Sequence, residues 1–353
     1  MCPARAPGAN ESIRREQNMS KTVKVAIIGS GGMAKAHLPG LKEMPDVQVV
    51  GFCDTVLERA KALADENGGA AFRDPGKMLD ATGADCCYIL LPPFAHGKAE
   101  MACIERDVPF FIEKPISNNW KQACQIAEAV AARGLMTSAG YMNRYRKSIQ
   151  TAKNLLARDP AVYVQGGWIG GTPNPNPERP ISMWWVQQAK SGGQFLEQVT
   201  HTVDIVRFLC GEATEVSAFA ARGFNRDVPG YDIADAMSVA IHLQSGGVCN
   251  LHSCCASNAK GGVTLDVFAT QIAFEFRGWD HSCKIYRKGK EPEEIKGEPD
   301  IFKVEDAAFI KAVRTGKDKG ILCSYADALR TLEISIAANL SAAKGKVVKL
   351  SGC

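Results

Sequence analysis

Val23-Lys24-Val25-Ala26-Ile27-Ile28-Gly29-Ser30-Gly31-Gly32-Met33-Ala34 is the stretch whose reading decides the fold. Its first half is rich in β-branched residues, as a buried strand is. Its second half fits G-x-G-x-x-A where a strand passes into a helix. In such a turn Gly29 permits the tight bend and Gly31 lets the backbone approach a pyrophosphate. Gly32 and Met33 open the helix, whose N-terminus faces the phosphates, and Ala34 is small enough for helix and strand to pack closely. The pattern alone is weak, but a second strand, Val47–Cys53, leads into Asp54 at about the 20-residue interval expected of a dinucleotide site. A carboxylate there accepts from the ribose 2′-hydroxyl and repels a 2′-phosphate, which predicts NAD. Arg59 lies close enough to leave NADP open. The plainer alternative is a glycine turn with Asp54 capping the helix at Leu57, and the combined match favours the dinucleotide.

Outward from this turn, short apolar runs alternate with helical patterns. Strands are expected at Ala84–Leu91, Pro109–Ile112 and Leu135–Tyr141, with helices at Leu57–Glu66, Gly97–Arg106 and Asn118–Arg133. Such alternation gives a parallel sheet covered on both faces. After Tyr145 the pattern changes. A helix at Ser148–Ala157 and a strand at Ala161–Gly171 precede a Pro/Asn-rich loop, Thr172–Pro180, and a strongly patterned helix, Gln194–Leu209, stopped by Gly211. Glu215 to Arg287 is mostly strand-like with glycine turns, which predicts antiparallel pairing. Helices near Phe302–Arg314 and Tyr325–Lys344 close the chain. The expected fold is therefore α/β, with a dinucleotide-binding domain over residues 21–143. A substrate-binding and oligomerisation domain follows over 144–353, its last helix free to pack back on the first.

Composition narrows the function classes. The 353 residues carry 46% hydrophobic and 23% charged side chains and a net charge of only +4, an ordinary globular mixture. There is no basic stripe for nucleic acid and no apolar run of membrane-spanning length. Residues 1–20 hold no apolar stretch and so no secretory signal; they read as a disordered tail, with Met19 a candidate start. The expected compartment is the cytoplasm. Of the 13 cysteines none forms a C-x-x-C pair, so reduced, packed thiols are expected rather than disulfides or a metal site.

Glu113-Lys114-Pro115, directly after a predicted strand, resembles the glucose–fructose oxidoreductase / inositol dehydrogenase / MocA (Gfo/Idh/MocA) family. Leu91-Pro92-Pro93-Phe94-Ala95-His96 is similar to that family's loop beside the nicotinamide. Gly140 to Tyr145 is similar to its interdomain strand, and Ser191-Gly192-Gly193-Gln194 through Glu197, His201 and Asp204 to its substrate-domain helix. Ala326 to Arg330 also fits, and the resemblance runs from Lys21 to Leu350. It implies an N-terminal Rossmann domain followed by an α/β domain with a large, open, mostly antiparallel sheet, assembled as a homodimer or homotetramer. It also implies NAD(P)-dependent hydride transfer to or from a carbinol carbon of a carbohydrate-like substrate.

That chemistry needs a poised acid/base beside the cofactor. Lys114 sits at the carboxyl end of a strand, where ligands bind in open α/β sheets, and can stabilise charge on the substrate oxygen. Glu113 can hold Lys114 or the cofactor ribose. On one helix, Glu197, His201 and Asp204 would share a face, with a carboxylate tuning the imidazole; a packing histidine, a solvated face or a metal site are the alternatives, and no catalytic metal is expected. The resemblance implies His201 as the acid/base beside Lys114, with Glu197 replacing the family's usual Asp. His96 either closes over the nicotinamide or caps the helix at Gly97. Arg144, Tyr145, Trp184 and Trp185 are candidates for substrate contact. Two other functions compete: a redox-neutral oxidation–elimination–reduction with retained NAD, and a sugar-sensing regulator, against which the presence of Lys114 counts.

Overall fold

The computed structural model describes residues 22–352, so the expected tail at 1–20 falls outside the described residues. Six strands, β1 (Val23–Ile28), β2 (Val47–Cys53), β3 (Ala70–Phe72), β4 (Cys86–Ile89), β5 (Phe110–Ile112) and β6 (Thr137–Ala139), form one sheet in the order β3-β2-β1-β4-β5-β6. Every pair in it is parallel. Helices α1 (Gly32–Lys42), α2 (Leu57–Asn67), α3 (Pro75–Thr82), α4 (Lys98–Ile104) and α5 (Trp120–Arg133) connect the strands and cover both faces. That is why β4 and β5 are apolar and buried at every position. The strand order reverses between β1 and β4, and a crevice opens there at the strands' carboxyl ends.

The element α3 was not expected, although its signal is in the sequence. The Asp74 side chain accepts from the Lys77 N–H at 3.0 Å, and Pro75 occupies the first turn, where its missing N–H costs nothing.

The chain continues through α6 (Lys147–Leu156), β7 (Tyr163–Ile169), α7 (Pro180–Trp185), α8 (Gln188–Ser191), α9 (Gln194–Glu197) and α10 (Thr200–Cys210). Next come β8 (Ala213–Ala221), β9 (Ala236–Leu243), β10 (Val248–Cys254), β11 (Gly262–Phe268), β12 (Ile272–Arg277), β13 (Ser282–Arg287) and β14 (Glu293–Ile295). Helices α11 (Ile301–Thr315) and α12 (Tyr325–Lys344) and the short β15 (Val348–Lys349) end it. The nine strands β7 to β15 make one sheet, ordered β14-β13-β12-β11-β7-β10-β9-β8-β15. It is antiparallel except where β7 runs beside β10. Strict in–out alternation along β9 shows one face packed and one open, and α6, α10 and α12 contribute to the core on the packed face.

The last two helices bind the halves together. Phe309 and Ile310 of α11 pack with Val25 and Ile27. On α12, Tyr325, Ala328, Leu329 and Leu332 complete the core on the other face of the parallel sheet, while Ile334, Ala337 and Ala338 enter the core of the second sheet.

Three expectations need correction here. Gln194–Leu209 is not one helix: α9 ends at Glu197, and α10 begins at Thr200. Gln194, Leu196, Val199 and Val203 are all buried, so the apolar periodicity runs through a break it does not reveal. The interdomain strand ends at Ala139, and Met142–Tyr145 is a single 3₁₀ turn. Ten described cysteines are free thiols, but Cys124 is disulfide-bonded.

Candidate active site

At the glycine turn the two functional glycines differ in what they need. Gly29 has φ +97°, and a Cβ there would lie 2.3 Å from the Leu90 carbonyl oxygen, so only glycine fits. At Gly31 and Gly32 a Cβ would meet nothing within 4 Å. Their smallness therefore serves the space above the turn, not the packing below it. Gly31 caps α1 without any side-chain bond to the helix's first N–H groups, the arrangement that receives a pyrophosphate. Ala34 is buried against the sheet, and Leu91 reaches to within 3.1 Å of the position of a Gly29 Cβ. Pro92 and half-buried Met33 complete the rim. Asp54 accepts from the Ser30 N–H at 3.0 Å and from the Val56 N–H at 2.8 Å, which fixes its carboxylate beside the turn. These groups fit a bound NAD.

Past β5, Lys114 follows Glu113 into a cis bond to Pro115. The Lys114 Nζ donates to Glu197 Oε1 and to the Glu197 main-chain oxygen, both at 3.2 Å. Glu197 Oε2 accepts from Trp185 Nε1 at 2.8 Å. Lysine has three donors, so one stays free on an ammonium held in place by a buried carboxylate.

His201 is buried beside this pair. Trp279 stands edge-on to it with ring centroids 5.0 Å apart, and Tyr141 likewise at 6.1 Å. Its Nδ1 lies buried without a protein partner. Burial first, then the positive charge of Lys114, hold its pKa well below the usual histidine range, so the ring is neutral at pH 7. Glu197 does not bond to His201, because the helix break turns it towards Lys114 and Trp185. The expected carboxylate tuning of the imidazole is thus corrected. The loop carrying Trp279 is pinned by Arg146, which donates to the Trp279 and Glu298 carbonyls and to Asn143 Oδ1.

Several expected contacts are structural instead. Arg144 is buried and bound to Asp204 through two bonds of 2.7 and 2.8 Å and to Asp327. Burial opposes its charge, and these carboxylates outweigh that and hold it charged. Arg144 therefore ties α10 to α12, and Asp204 bonds to it and not to His201. The Tyr145 hydroxyl donates to the Gly320 carbonyl and accepts from the Leu322 N–H, which also removes it from the site. His96 takes the capping role: its Nδ1 meets Glu100 Oε1 at 2.5 Å, and Glu100 accepts from the Gly97 N–H. The side chain is fully enclosed, so it is not presented to a cofactor.

Glu113 likewise faces inward. Its Oε1 meets His37 Nε2 at 3.1 Å and its Oε2 accepts from the Lys114 N–H, so both its oxygens are engaged within the protein. His37, to which the sequence assigned nothing, bridges onward to Asp306 of α11 at 2.7 Å. Burial lowers its basicity, but Asp306 and Glu113 outweigh it and lift its pKa to about 10. This buried cation fixes the segment that presents Lys114.

The comparisons with known proteins fit this arrangement. The model of the Gfo/Idh/MocA oxidoreductase family, described as an NAD-binding Rossmann fold, matches residues 23–141. That of the family's C-terminal domain matches residues 169–275. The chain belongs to the Gfo/Idh/MocA family. It is accordingly an oxidoreductase with an NAD-binding Rossmann domain. Among relatives of this Gfo/Idh/MocA chain, the scyllo-inositol 2-dehydrogenase (NAD(+)) of Bacillus subtilis is 26% identical over 348 residues, spanning 94% of this chain and 97% of its own. An inositol 2-dehydrogenase of Streptomyces avermitilis is 32% identical over 215 residues, 58% of each protein. The solved structure of levoglucosan dehydrogenase in complex with NADH superposes with a TM-score of 0.82 at 18% identity, covering 94% of this chain and 100% of that one. That likeness is one of fold.

No helix among the described residues is long and apolar enough to cross a membrane, and no group of three or more metal-ligating side chains gathers among them.

Proposed function

We propose that this protein is an NAD-dependent dehydrogenase or reductase of a cyclitol or sugar, with Lys114 and His201 as its acid/base pair. The observation that carries the reading is the charged Lys114, clamped on Glu197 at the carboxyl end of β5, beside a buried neutral His201. Bound NAD supplies the acceptor or donor of the hydride. The residues do the rest. The free donor of Lys114 meets the substrate oxygen and stabilises negative charge gathering there. His201, neutral at working pH, takes the hydroxyl proton in the oxidative direction and returns it in the reductive one. Lys114 depresses the basicity of His201 and so keeps it unprotonated between turnovers. Glu197 is a positioning residue for Lys114, and Trp185 fixes Glu197 in turn. Arg144, Tyr145, His96 and Glu113 are left out of the site for the reasons given above.

The inositol dehydrogenases named among the relatives support a cyclitol or sugar as substrate. Asp54 supports NAD over NADP, since a 2′-phosphate would meet its carboxylate. The open sheet face, with Phe219 78% exposed and Val248 50% exposed, supports assembly of homo-oligomers through that face. A screen of polyols and sugars with NAD and NADP, followed by absorbance of the reduced nicotinamide, tests the main reading. Turnover of at least one cyclitol or sugar with NAD is expected, and none with either cofactor would overturn it.

A further inference from the structure

Next to the proposed acid/base pair lies a cavity of about 350 Å³ whose lining includes neither Lys114 nor His201. It sits between the open end of β7, the segment 170–174, α7 and the α9–α10 break. Trp168 and Trp185 stand on its walls, Ile181 and Arg179 on its rim, and Gln194 and Gln198 on its floor.

Its link to the reaction centre can be traced along two walls. On one, Lys114 bonds to Glu197 and Glu197 to Trp185. On the other, His201 packs on Trp279, and Trp279 packs on Trp168 with ring centroids 5.5 Å apart. Each proton-handling group is therefore one residue removed from a tryptophan lining the cavity, Lys114 through Glu197 and His201 through Trp279, which makes it an extension of the substrate site.

Its chemistry is mixed in a specific way. Two indoles offer apolar surface of the kind that covers the C–H face of a sugar ring. Among them Gln194, 2% exposed, bonds through Nε2 to Gln198 Oε1 at 3.2 Å and leaves its own Oε1 buried with no donor. A buried acceptor without a partner is costly, and a ligand hydroxyl would satisfy it. An apolar metabolite would use the indoles and leave Gln194 unsatisfied; a phosphate or carboxylate could pair with Arg179 on the rim but has no donor for the buried Gln194 acceptor. A polyhydroxylated ring meets both demands.

We propose that this cavity is a second substrate subsite that seats a sugar ring joined to the one being oxidised. The preferred substrate is then a glycoside or disaccharide, not a free monocyclic polyol. The proposal rests on the hydride-transfer reading for where the reacting ring lies, and the test separates the two. The holoenzyme with NAD is assayed on glucose and myo-inositol, and on maltose, cellobiose, gentiobiose and trehalose. Binding of the same sugars is followed in parallel by quenching of tryptophan fluorescence. At least one disaccharide should exceed both monocycles in kcat/KM, and should bind more tightly, by roughly tenfold, the equivalent of about 1.4 kcal/mol.

Two variants sharpen the test. Gln194→Met keeps the volume and removes the acceptor. Ile181→Trp fills the cavity from a position 54% exposed, where extra bulk does not strain the fold. Each should cut the disaccharide-to-monocycle preference by roughly tenfold. Monocycle turnover equal to or above that of every disaccharide, or variants that leave the preference unchanged, overturn the subsite while the hydride reading stands. Saturable disaccharide binding that both variants weaken supports the subsite even where the polyol and sugar screen shows no turnover with NAD or NADP, the result that overturns the hydride reading. No saturable disaccharide binding overturns the subsite in either case.

Discussion

The nucleotide turn and the proposed acid/base centre are two sites of one enzyme built on opposite principles. The turn is a continuous run, Gly29 to Ala34, whose working parts are main-chain N–H groups and empty space. The acid/base centre is assembled from side chains at Lys114, Trp185, Glu197, His201 and Trp279, brought together from both halves of the chain. A site made of backbone is local and tolerates changes of side chain at its edges. A site made of distant side chains depends on every partner that aims them.

The largest expected effect tests that dependence. Lys114→Ala and His201→Ala should each lower kcat by about 10²–10⁴, the usual worth of a positioned acid or base, with NAD affinity retained. If the two share one proton transfer, the double variant loses less than the sum. Near-normal turnover by His201→Ala would reduce His201 to a packing residue and leave Lys114 alone with the proton.

Next in size is a contrast within the turn. Gly29→Ala should destabilise the fold by roughly 1–3 kcal/mol, because its φ is positive and its Cβ meets the Leu90 carbonyl. Gly31→Val should leave the melting temperature near that of the parent and weaken NAD binding by roughly a hundredfold, as bulk enters space that a pyrophosphate occupies. Thermal unfolding and NAD titration of both variants check this, and equal NAD affinity in Gly31→Val and the parent would break the cofactor assignment.

A smaller effect concerns cofactor choice. NAD should bind more tightly than NADP by roughly tenfold, and Asp54→Ser should narrow the gap by relieving like-charge repulsion. Tighter binding of NADP to the parent protein would end the role given to Asp54.

The smallest expected effect is in the pH profile. The His201 pKa is lowered by burial and by Lys114; the base form thus persists as pH falls past the ordinary histidine value and is lost only well below 6.5. Between pH 7.5 and pH 6.5 kcat should change by less than about twofold on this account. An acid limb centred at or above 6.5 that vanishes in His201→Ala would contradict the neutral, buried state described here.

The same contrast explains what was legible beforehand. The turn, β1, β2 and Asp54 were readable because each declares itself within a few residues. Helix α12 was read to its ends, since Ser324 and Gly345 cap it. The strand end and the family resemblance single out Lys114, and the resemblance Glu197 and His201, but neither reveals their partners. Glu197 was expected to serve His201 four residues on, and instead serves Lys114, 83 positions away. Arg144 read as a sugar contact because nothing nearby in sequence reveals its partners Asp204 and Asp327. His37 looked idle because its two carboxylates come from Glu113 and Asp306. Buried charge is explained by partners, and partners are set by topology.

The parallel sheet borrows Phe309, Ile310, Tyr325 and Leu332 from the far end of the chain, and that has a consequence for biosynthesis. The nucleotide domain leaves the ribosome first, at about 5–20 residues per second, yet part of each face stays uncovered until α11 and α12 have been made. A segment translated later is thus the latch for a domain formed earlier. A message truncated before Phe309 yields a nascent domain with an exposed apolar patch on each face, a substrate for chaperones and proteases and not a smaller working enzyme.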